Sequence, residues 1–253
     1  MPFDPVIVVG GGLAGCECAL QLAKRGVPVK LIEMRPHTSS PAHRTDGLAE
    51  LVCSNSLKAT RIDSAAGLLK EELARMGSEL LQCANAASVP AGGALAVDRE
   101  TFSSLVEEKV GNEELIELVR EEVTAIPTGR VVIAAGPLCS PALSEAVLEL
   151  VGGSSLSFFD AAAPIVDAES LDRSVLFRQS RYGETEVGDY LNAPFTKDEY
   201  EAFIDALVAA DRVVLKDFEH GGLFQACQPA EEVARTGRDA LRFGAMKPVG
   251  LTD

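Results

Sequence analysis

Four β-branched aliphatic residues, Val6-Ile7-Val8-Val9, are broken off by a glycine cluster, and the apolar positions that follow, Ala19, Leu20, Leu22 and Ala23, recur at helical spacing. The pattern predicts a strand, a tight turn and a helix over residues 14–25. Gly26 stands where a helix ends on a left-handed glycine, and Val29-Lys-Leu-Ile-Glu33 reads as a second strand, completing a βαβ unit. Residues 34–60 contain Pro36, Pro41 and several Ser and Thr without a sustained period. They predict a long ordered loop with a short helix around residues 48–52, and loops of that length commonly carry function.

Further along, Leu68, Leu69 and Leu73 form a stripe that predicts a helix over residues 63–76, followed by the turn-rich stretch 88–93. Asp98 has the position of an N-cap for a helix running to about Val110. Residues 115–119, 121–126 and 131–135 read as strands, and Ser140-Pro141 opens another helix, with serine as cap and proline in the first turn. From about residue 158 to 192 the pattern changes to short, irregular, mostly β segments, so a second region begins there. Thr196-Lys-Asp-Glu199 is a capping box for a helix ending near Ala210, and the stretch from Val213 is mixed.

Composition places this pattern in a folded, acidic chain. Of 253 residues, 47% are hydrophobic and 24% charged, and 23 Lys+Arg against 38 Asp+Glu leave a net charge of −15. Disorder and collagen-like repetition are excluded, and nonspecific adhesion to nucleic acid is disfavoured. The acidity is uneven: residues 1–61 hold 7 basic and 5 acidic residues, net +2, so the rest carries −17. An anion-binding surface is therefore expected near the N-terminal part. The longest apolar runs are strand-sized, well short of the roughly 20 residues that cross a bilayer, and the first residues lack the basic stretch of a secretory signal. A cytoplasmic protein with no membrane contact is expected. Six cysteines, at 16, 18, 53, 83, 139 and 227, form no C-x-x-C pair, and His37, His43 and His220 are dispersed, so neither a metal site nor a disulfide framework is expected.

The glycine cluster carries the first chemistry. Gly10-Gly11-Gly12-Leu13-Ala14-Gly15 fits G-x-G-x-x-G with a strand before it and a helix after it, and Glu33 closes the second strand at the usual distance. In this pattern Gly10 permits the turn, Gly12 lets backbone approach a pyrophosphate at the helix N-terminus, and Gly15 lets helix and strand pack closely. Glu33 would accept hydrogen bonds from a ribose. The motif alone leaves FAD and NAD open, although an acid at the ribose disfavours the 2′-phosphate of NADP. The apolar strand Val131-Val-Ile-Ala-Ala-Gly136, which would pass close beneath a bound dinucleotide, tilts the choice to FAD.

Several longer blocks go beyond a generic fold: Glu33-Met34-Arg35-Pro36, Pro41-Ala-His43, Glu50-Leu-Val-Cys53-Ser-Asn-Ser-Leu57, Gly67-Leu-Leu-Lys-Glu-Glu72, the run from Val89 to Arg99, Asp160-Ala-Ala-Ala-Pro-Ile-Val166, Ser180-Arg-Tyr182 and Phe243-Gly-Ala-Met-Lys-Pro-Val-Gly-Leu251. Together they resemble the folate- and FAD-dependent tRNA (uracil-5-)-methyltransferases, from the first strand to the last residues. The resemblance implies a flavoenzyme that takes a methylene group from methylenetetrahydrofolate and delivers it, through reduced FAD, to C5 of a T-loop uridine, with NAD(P)H as a further co-substrate. It also implies cofactor contacts at Met34, Arg35 and Gly136. Two cysteines fall on the family's functional positions, Cys53 and Cys227. Uracil C5 is a poor nucleophile until a thiolate adds at C6, and C5 must afterwards lose its proton. The resemblance implies Cys227 as the thiol that adds, and Cys53 as the base or the temporary holder of the methylene. The other four cysteines read as small buried hydrophobes. His43, with Arg44, is placed to help hold folate or phosphate.

The expected architecture is α/β: a Rossmann-like FAD-binding domain over residues 1–155, a smaller α+β insertion domain over 156–240, and a return segment to the first domain over 241–253. Family members continue beyond the point where this sequence stops, so the sequence reads as a fragment or a short relative. The block around Cys227 has Gln225-Ala226 in place of an acidic residue and glycine, and the net charge counts against tRNA as a partner. Two alternatives therefore stand beside the methyltransferase: a flavin-binding relative without RNA chemistry, and a noncatalytic partner module.

Overall fold

A computed structural model of the chain describes residues 4–152, 166–181, 188–211, 228–247 and 250–251. β1 (Val6–Val9) pairs in parallel with β2 (Val29–Glu33), Val8 lying opposite Leu31. Their β-branched runs are buried almost throughout, as strands covered on both faces must be. The crossover between them is α1 (Leu13–Ala23), which lays Cys16, Ala19, Leu20 and Ala23 into the core, and Gly26 at φ +75° releases the chain after it.

β3 (Ser56–Ala59), β4 (Ser88–Val89) and β5 (Ala94–Val97) make a small antiparallel sheet in the order β3-β5-β4. Around it stand α2 (Ala65–Arg75), α3 (Glu79–Ala86) and α4 (Arg99–Gly111). β6 (Ile116–Arg120) then joins the outer edge of β2, and β7 (Val131–Ile133) joins β1, giving a four-stranded parallel sheet in the order β6-β2-β1-β7. α5 (Pro141–Val151) follows, with the Ser140 hydroxyl accepting from the Leu143 N–H. The α/β class and the Rossmann-like βαβ core are as the sequence predicts.

Three local expectations are overturned. The loop expected over residues 34–60 ends early, since residues 56–59 pair as β3. Residues 48–52 form no helix: the Ala49 N–H donates to the Gly11 carbonyl (2.8 Å) and Ala49 sits at φ +52°, so that backbone serves the glycine turn rather than itself. Residues 121–126 form no strand, because β2 ends at Glu33 and only the Glu121 N–H finds it, at 2.9 Å from the Glu33 carbonyl. α3 lies in a stretch that gave no sequence signal. Its start is held from a distance: Glu17, on α1, accepts from Ser78 Oγ (2.8 Å) and from the Leu80 and Glu79 N–H groups (2.9 and 3.1 Å).

The chain divides into two compact units, the first taking residues 4–89 and 94–152 and the second taking 90–93 with the described residues from 166 onward. Within the second, β8 (Phe177–Arg178) pairs antiparallel with β9 (Leu191–Asn192). α6 (Lys197–Ala209) begins with the predicted capping box, and α7 (Ala230–Thr236) and α8 (Ala240–Phe243) pack on it through Ile204, Ala234 and Leu241. Two boundaries thus differ from expectation. Residues 90–93 leave the first domain, tied by Gly92 N–H to Asp189 (2.5 Å) and by Tyr190 Oη to the Ala91 carbonyl (2.7 Å). The expected return segment packs with the second unit, because Leu241 and Met246 complete its small apolar core. The stretch 212–227 lies outside the described residues. Among those described, no helix is long and apolar enough to cross a membrane, and no group of His, Cys, Asp and Glu could hold a metal ion.

Candidate dinucleotide-binding cleft

The glycine turn between β1 and α1 is held by contacts that leave no room for side chains, with one exception. Gly10 sits at φ +106°, and a Cβ there would lie 2.5 Å from Ala135 Cα. A Cβ on Gly15 would lie 1.8 Å from the Gly10 carbonyl oxygen, which is the close helix packing predicted for it. Gly11 faces Leu48 and Glu33. At Gly12 a Cβ would meet nothing within 4 Å, so the open side of the turn is there. α1 starts at this point without a side-chain cap and without an acidic residue in its first turn, with Leu13 and Ala14 exposed. The helices α2 to α6 all have their first N–H groups capped, by Ser64, Ser78, Asp98, Ser140 and Thr196. The uncapped N–H groups of α1 stand at the positive end of the helix dipole, where an anion such as a diphosphate is favoured.

Glu33 is nearly inaccessible, at 4% exposure, and its carboxylate is already engaged. Oε2 accepts from the Gly11 N–H (2.7 Å), and Oε1 accepts from the Arg35 N–H (3.1 Å) and Nε (2.7 Å). Burial pushes this carboxyl up, but the Arg35 guanidinium and the two N–H donors outweigh it and leave it below the usual glutamate range. Each carboxylate oxygen has two acceptor positions, so Oε2 retains one for a ribose hydroxyl. Arg35, expected as a cofactor contact, is itself buried at 1% exposure. Besides Glu33 it binds Glu50 Oε2 (2.8 Å) and the Thr45 carbonyl (3.2 Å), so its charge orients the acids.

Gly12, Glu33, Met34, His43, Glu122 and Cys139 line a cleft that opens to solvent over the C-terminal ends of β1 and β2. His43 hydrogen-bonds Ser40 Oγ through Nδ1 (2.7 Å), and burial, followed by the charge of Arg35, lowers its basicity. Gly136 follows the lining residue Ala135, exposed and at φ +63°. Glu50 and Glu122 were not singled out from sequence: Glu50 was visible only as the first letter of a motif block, and Glu122 only as part of a supposed strand. The open Gly12, the uncapped helix and the acid at the end of β2 fit a dinucleotide.

Cys53 is solvent-exposed, and its carbonyl accepts from Arg99 Nη2 at 3.2 Å. Cys227 lies outside the described residues. Cys16 is buried and donates to the Gly11 carbonyl (3.2 Å); burial, reinforced by the Glu33 charge, pushes its thiol up to about 12. At pH 8 only about one Cys16 in ten thousand would be thiolate. Timed iodoacetamide labelling read by peptide mass spectrometry is therefore expected to modify Cys53 early and to leave Cys16 unmodified in the native protein. Comparable labelling rates at the two positions would contradict this placement.

The family model for glucose inhibited division protein A matches residues 5–253. The chain belongs to this family. Among curated proteins it is similar to the methylenetetrahydrofolate–tRNA-(uracil-5-)-methyltransferase TrmFO of Geobacter sulfurreducens, 58% identical over 249 residues, covering 98% of this chain and 57% of that protein. The TrmFO of Synechococcus sp. is 56% identical over 251 residues, covering 98% and 55%. The resemblance drawn from the motif blocks is borne out at this level, and the chain spans about half the length of the curated relatives it matches. Among solved structures it is similar to GidA of Aquifex aeolicus, at 18% identity and a TM-score of 0.43, covering 53% of this chain and 25% of that one.

Proposed function

We propose that this chain binds FAD in the cleft at Gly12 and takes part, in the cytoplasm, in folate-dependent methylation of uridine C5 in tRNA. The observation that carries this reading is its identity to proteins named for that reaction, which extends over 98% of the chain. The open, uncapped glycine turn supports the cofactor assignment. FAD, reduced by NAD(P)H, would supply the electrons that turn the folate-derived one-carbon unit into a methyl group. The chain's own part begins with the diphosphate: the α1 N-terminus holds it, and Glu33, fixed by Arg35, accepts from the adenosine ribose. Cys227 adds as thiolate to uracil C6, which makes C5 nucleophilic. Cys53, exposed at the end of its loop, takes the C5 proton so that Cys227 can leave.

The test is methyl transfer from labelled methylenetetrahydrofolate to an unmodified T-loop. Cys53→Ala and Cys227→Ala are each expected to abolish product, while alanine at Cys16, Cys18, Cys83 or Cys139 gives packing losses only. A covalent adduct with 5-fluorouridine RNA should vanish in Cys227→Ala. Full methylation by the Cys53→Ala, Cys227→Ala double variant would refute the roles.

A further inference from the structure

The carbonyl of Gly11 and the N–H of Gly12 belong to one peptide unit, and in a trans peptide the two point in opposite directions. The carbonyl is held from behind, accepting from the Ala49 N–H at 2.8 Å and from Cys16 Sγ at 3.2 Å. The Gly12 N–H is thereby turned towards the open side of the turn, where a Cβ on Gly12 would meet nothing. The residue that turns it is under strain: Ala49 is fully buried at φ +52°, a left-handed conformation that a Cβ disfavours. Such strain persists where it serves a site. The next residue serves the other end of the cleft. Glu50 Oε2 accepts from Arg35 Nη1 (2.8 Å) and the Thr45 N–H (3.4 Å), and Oε1 accepts from the Arg44 N–H (2.9 Å). Arg35 in turn holds Glu33, the expected ribose acceptor, at 2.7 Å.

The same backbone leads from Glu50 to Cys53 in three residues, so the exposed thiol rides on a strap that is fastened on both sides. Beyond Cys53, the Asn55 carbonyl accepts from the Val97 N–H and Asn55 Nδ2 donates to the Val97 carbonyl, both at 3.0 Å. Before it, the Leu48 carbonyl accepts from Ser103 Oγ (2.6 Å), Ala49 reaches Gly11 and Glu50 reaches Arg35. The links of Ala49 and Glu50 end on residues of the dinucleotide cleft. Those to Ser103 and Val97 end elsewhere.

We propose that residues 48–50 couple occupancy of the dinucleotide cleft to docking of the strap that carries Cys53, with Glu50 as the positioning residue. This rests on the cofactor reading above. A diphosphate accepting from the Gly12 N–H would resist rotation of that peptide and so keep the Gly11 carbonyl facing Ala49. A ribose on Glu33 would fix the acid to which Arg35, and through it Glu50, is tied. Linkage makes the effect mutual: the ligand favours the docked strap by the factor by which the docked strap favours the ligand. A glutamine at position 50 would keep the shape but present one acceptor oxygen and one NH2, setting donor against donor at either the Arg44 N–H or the Arg35 guanidinium.

ADP is the probe, because it carries the diphosphate and the ribose but no flavin ring that could itself cover Cys53. Amide hydrogen exchange of the full chain, read by mass spectrometry with and without saturating ADP, is expected to slow about tenfold over residues 44–53 and far less over α3. In Glu50→Gln the slowing over 44–53 should fall to about threefold or less, and ADP should bind more weakly by the factor lost. Glu50→Asp, too short to reach Arg35 and the Arg44 N–H together, should lose it likewise, and the measurement on the parent chain needs no substitution at all. Ser103→Ala, which removes the Leu48 fastening and no link to the cleft, should speed exchange over 44–53 in the free chain yet keep the full slowing by ADP. ADP that binds without slowing exchange over 44–53, or slowing that Glu50→Gln retains in full, would overturn the coupling and leave the cofactor site intact. Equal slowing over α3, or equal loss in Ser103→Ala, would mark general stabilisation of the fold and overturn it too. A chain that binds neither ADP nor FAD would remove the site and the coupling together.

Discussion

Replacing Gly12 with valine is expected to abolish flavin retention while leaving the fold intact. A side chain at this position meets no protein atom within 4 Å, and its backbone (φ −77°, ψ −171°) is extended, which valine adopts readily. The added methyl groups would instead stand where the diphosphate approaches the uncapped N–H groups of α1. Hydrogen bonds to a charged group contribute about 1.5–3 kcal/mol each, so losing two weakens binding by roughly a hundredfold to ten-thousandfold. Gly15→Ala provides the contrast. Its Cβ would be driven to 1.8 Å from the Gly10 carbonyl oxygen, so this smaller change should cost stability before it costs affinity. Melting curves with and without FAD separate the two effects. A folded Gly12→Val chain with normal flavin content would show that the diphosphate lies elsewhere.

Arg35→Met should be the most destabilising single substitution in the cleft wall. The guanidinium satisfies Glu33 and Glu50 at once, at 2.7 and 2.8 Å, and removing it leaves two carboxylates without their cation, held only by backbone N–H groups. Breaking such a buried pair costs about 3–5 kcal/mol, a large share of the roughly 5–15 kcal/mol that holds a domain together. Lysine would not restore it, because a single ammonium cannot bridge the two acids as the planar fork does. The pH dependence follows from Glu33, whose folded-state carboxyl is held below its ordinary value of 4.5. Its contribution is complete above that value and is lost as pH falls through the lower, folded one. In Arg35→Met only the two backbone N–H donors still oppose burial, so the carboxyl titrates higher than in the parent chain and the stability gap between the two should narrow as the solution is acidified below about pH 4.5. Urea unfolding at neutral and acid pH reads this directly. A gap that stays constant or widens on acidification would show that the Glu33 pair is not its source.

The elements legible in the sequence are those whose signals are local. The strand, glycine turn, helix and strand of residues 6–33 carry their period and their punctuation within a few residues, and Ser140-Pro141 and Thr196 to Glu199 cap their helices with their own side chains. What was missed depends on distant partners. α3 has only eight residues, and its N-terminus is completed by Glu17, some sixty positions earlier. The apolar residues at 48–52 read as a helix because burial alone does not reveal that the Ala49 N–H is spent on Gly11. Its place at the end of β2 makes Glu33 an expected ribose acceptor from sequence alone. That it also accepts from Gly11 and Arg35, and so ties the turn to the loop after β2, required the folded geometry. The same holds for Lys58, whose left-handed backbone no local pattern announces.

FAD binding at the glycine turn is the claim on which the rest depends, and its most direct measurement is the absorption spectrum of the purified chain followed by equilibrium titration with FAD. The expected result is a flavin spectrum, or saturable uptake of equimolar FAD by the chain as isolated, with NADP unable to compete because Glu33 repels its 2′-phosphate. A well-folded chain that shows no flavin spectrum and takes up no FAD at saturating concentration would contradict it.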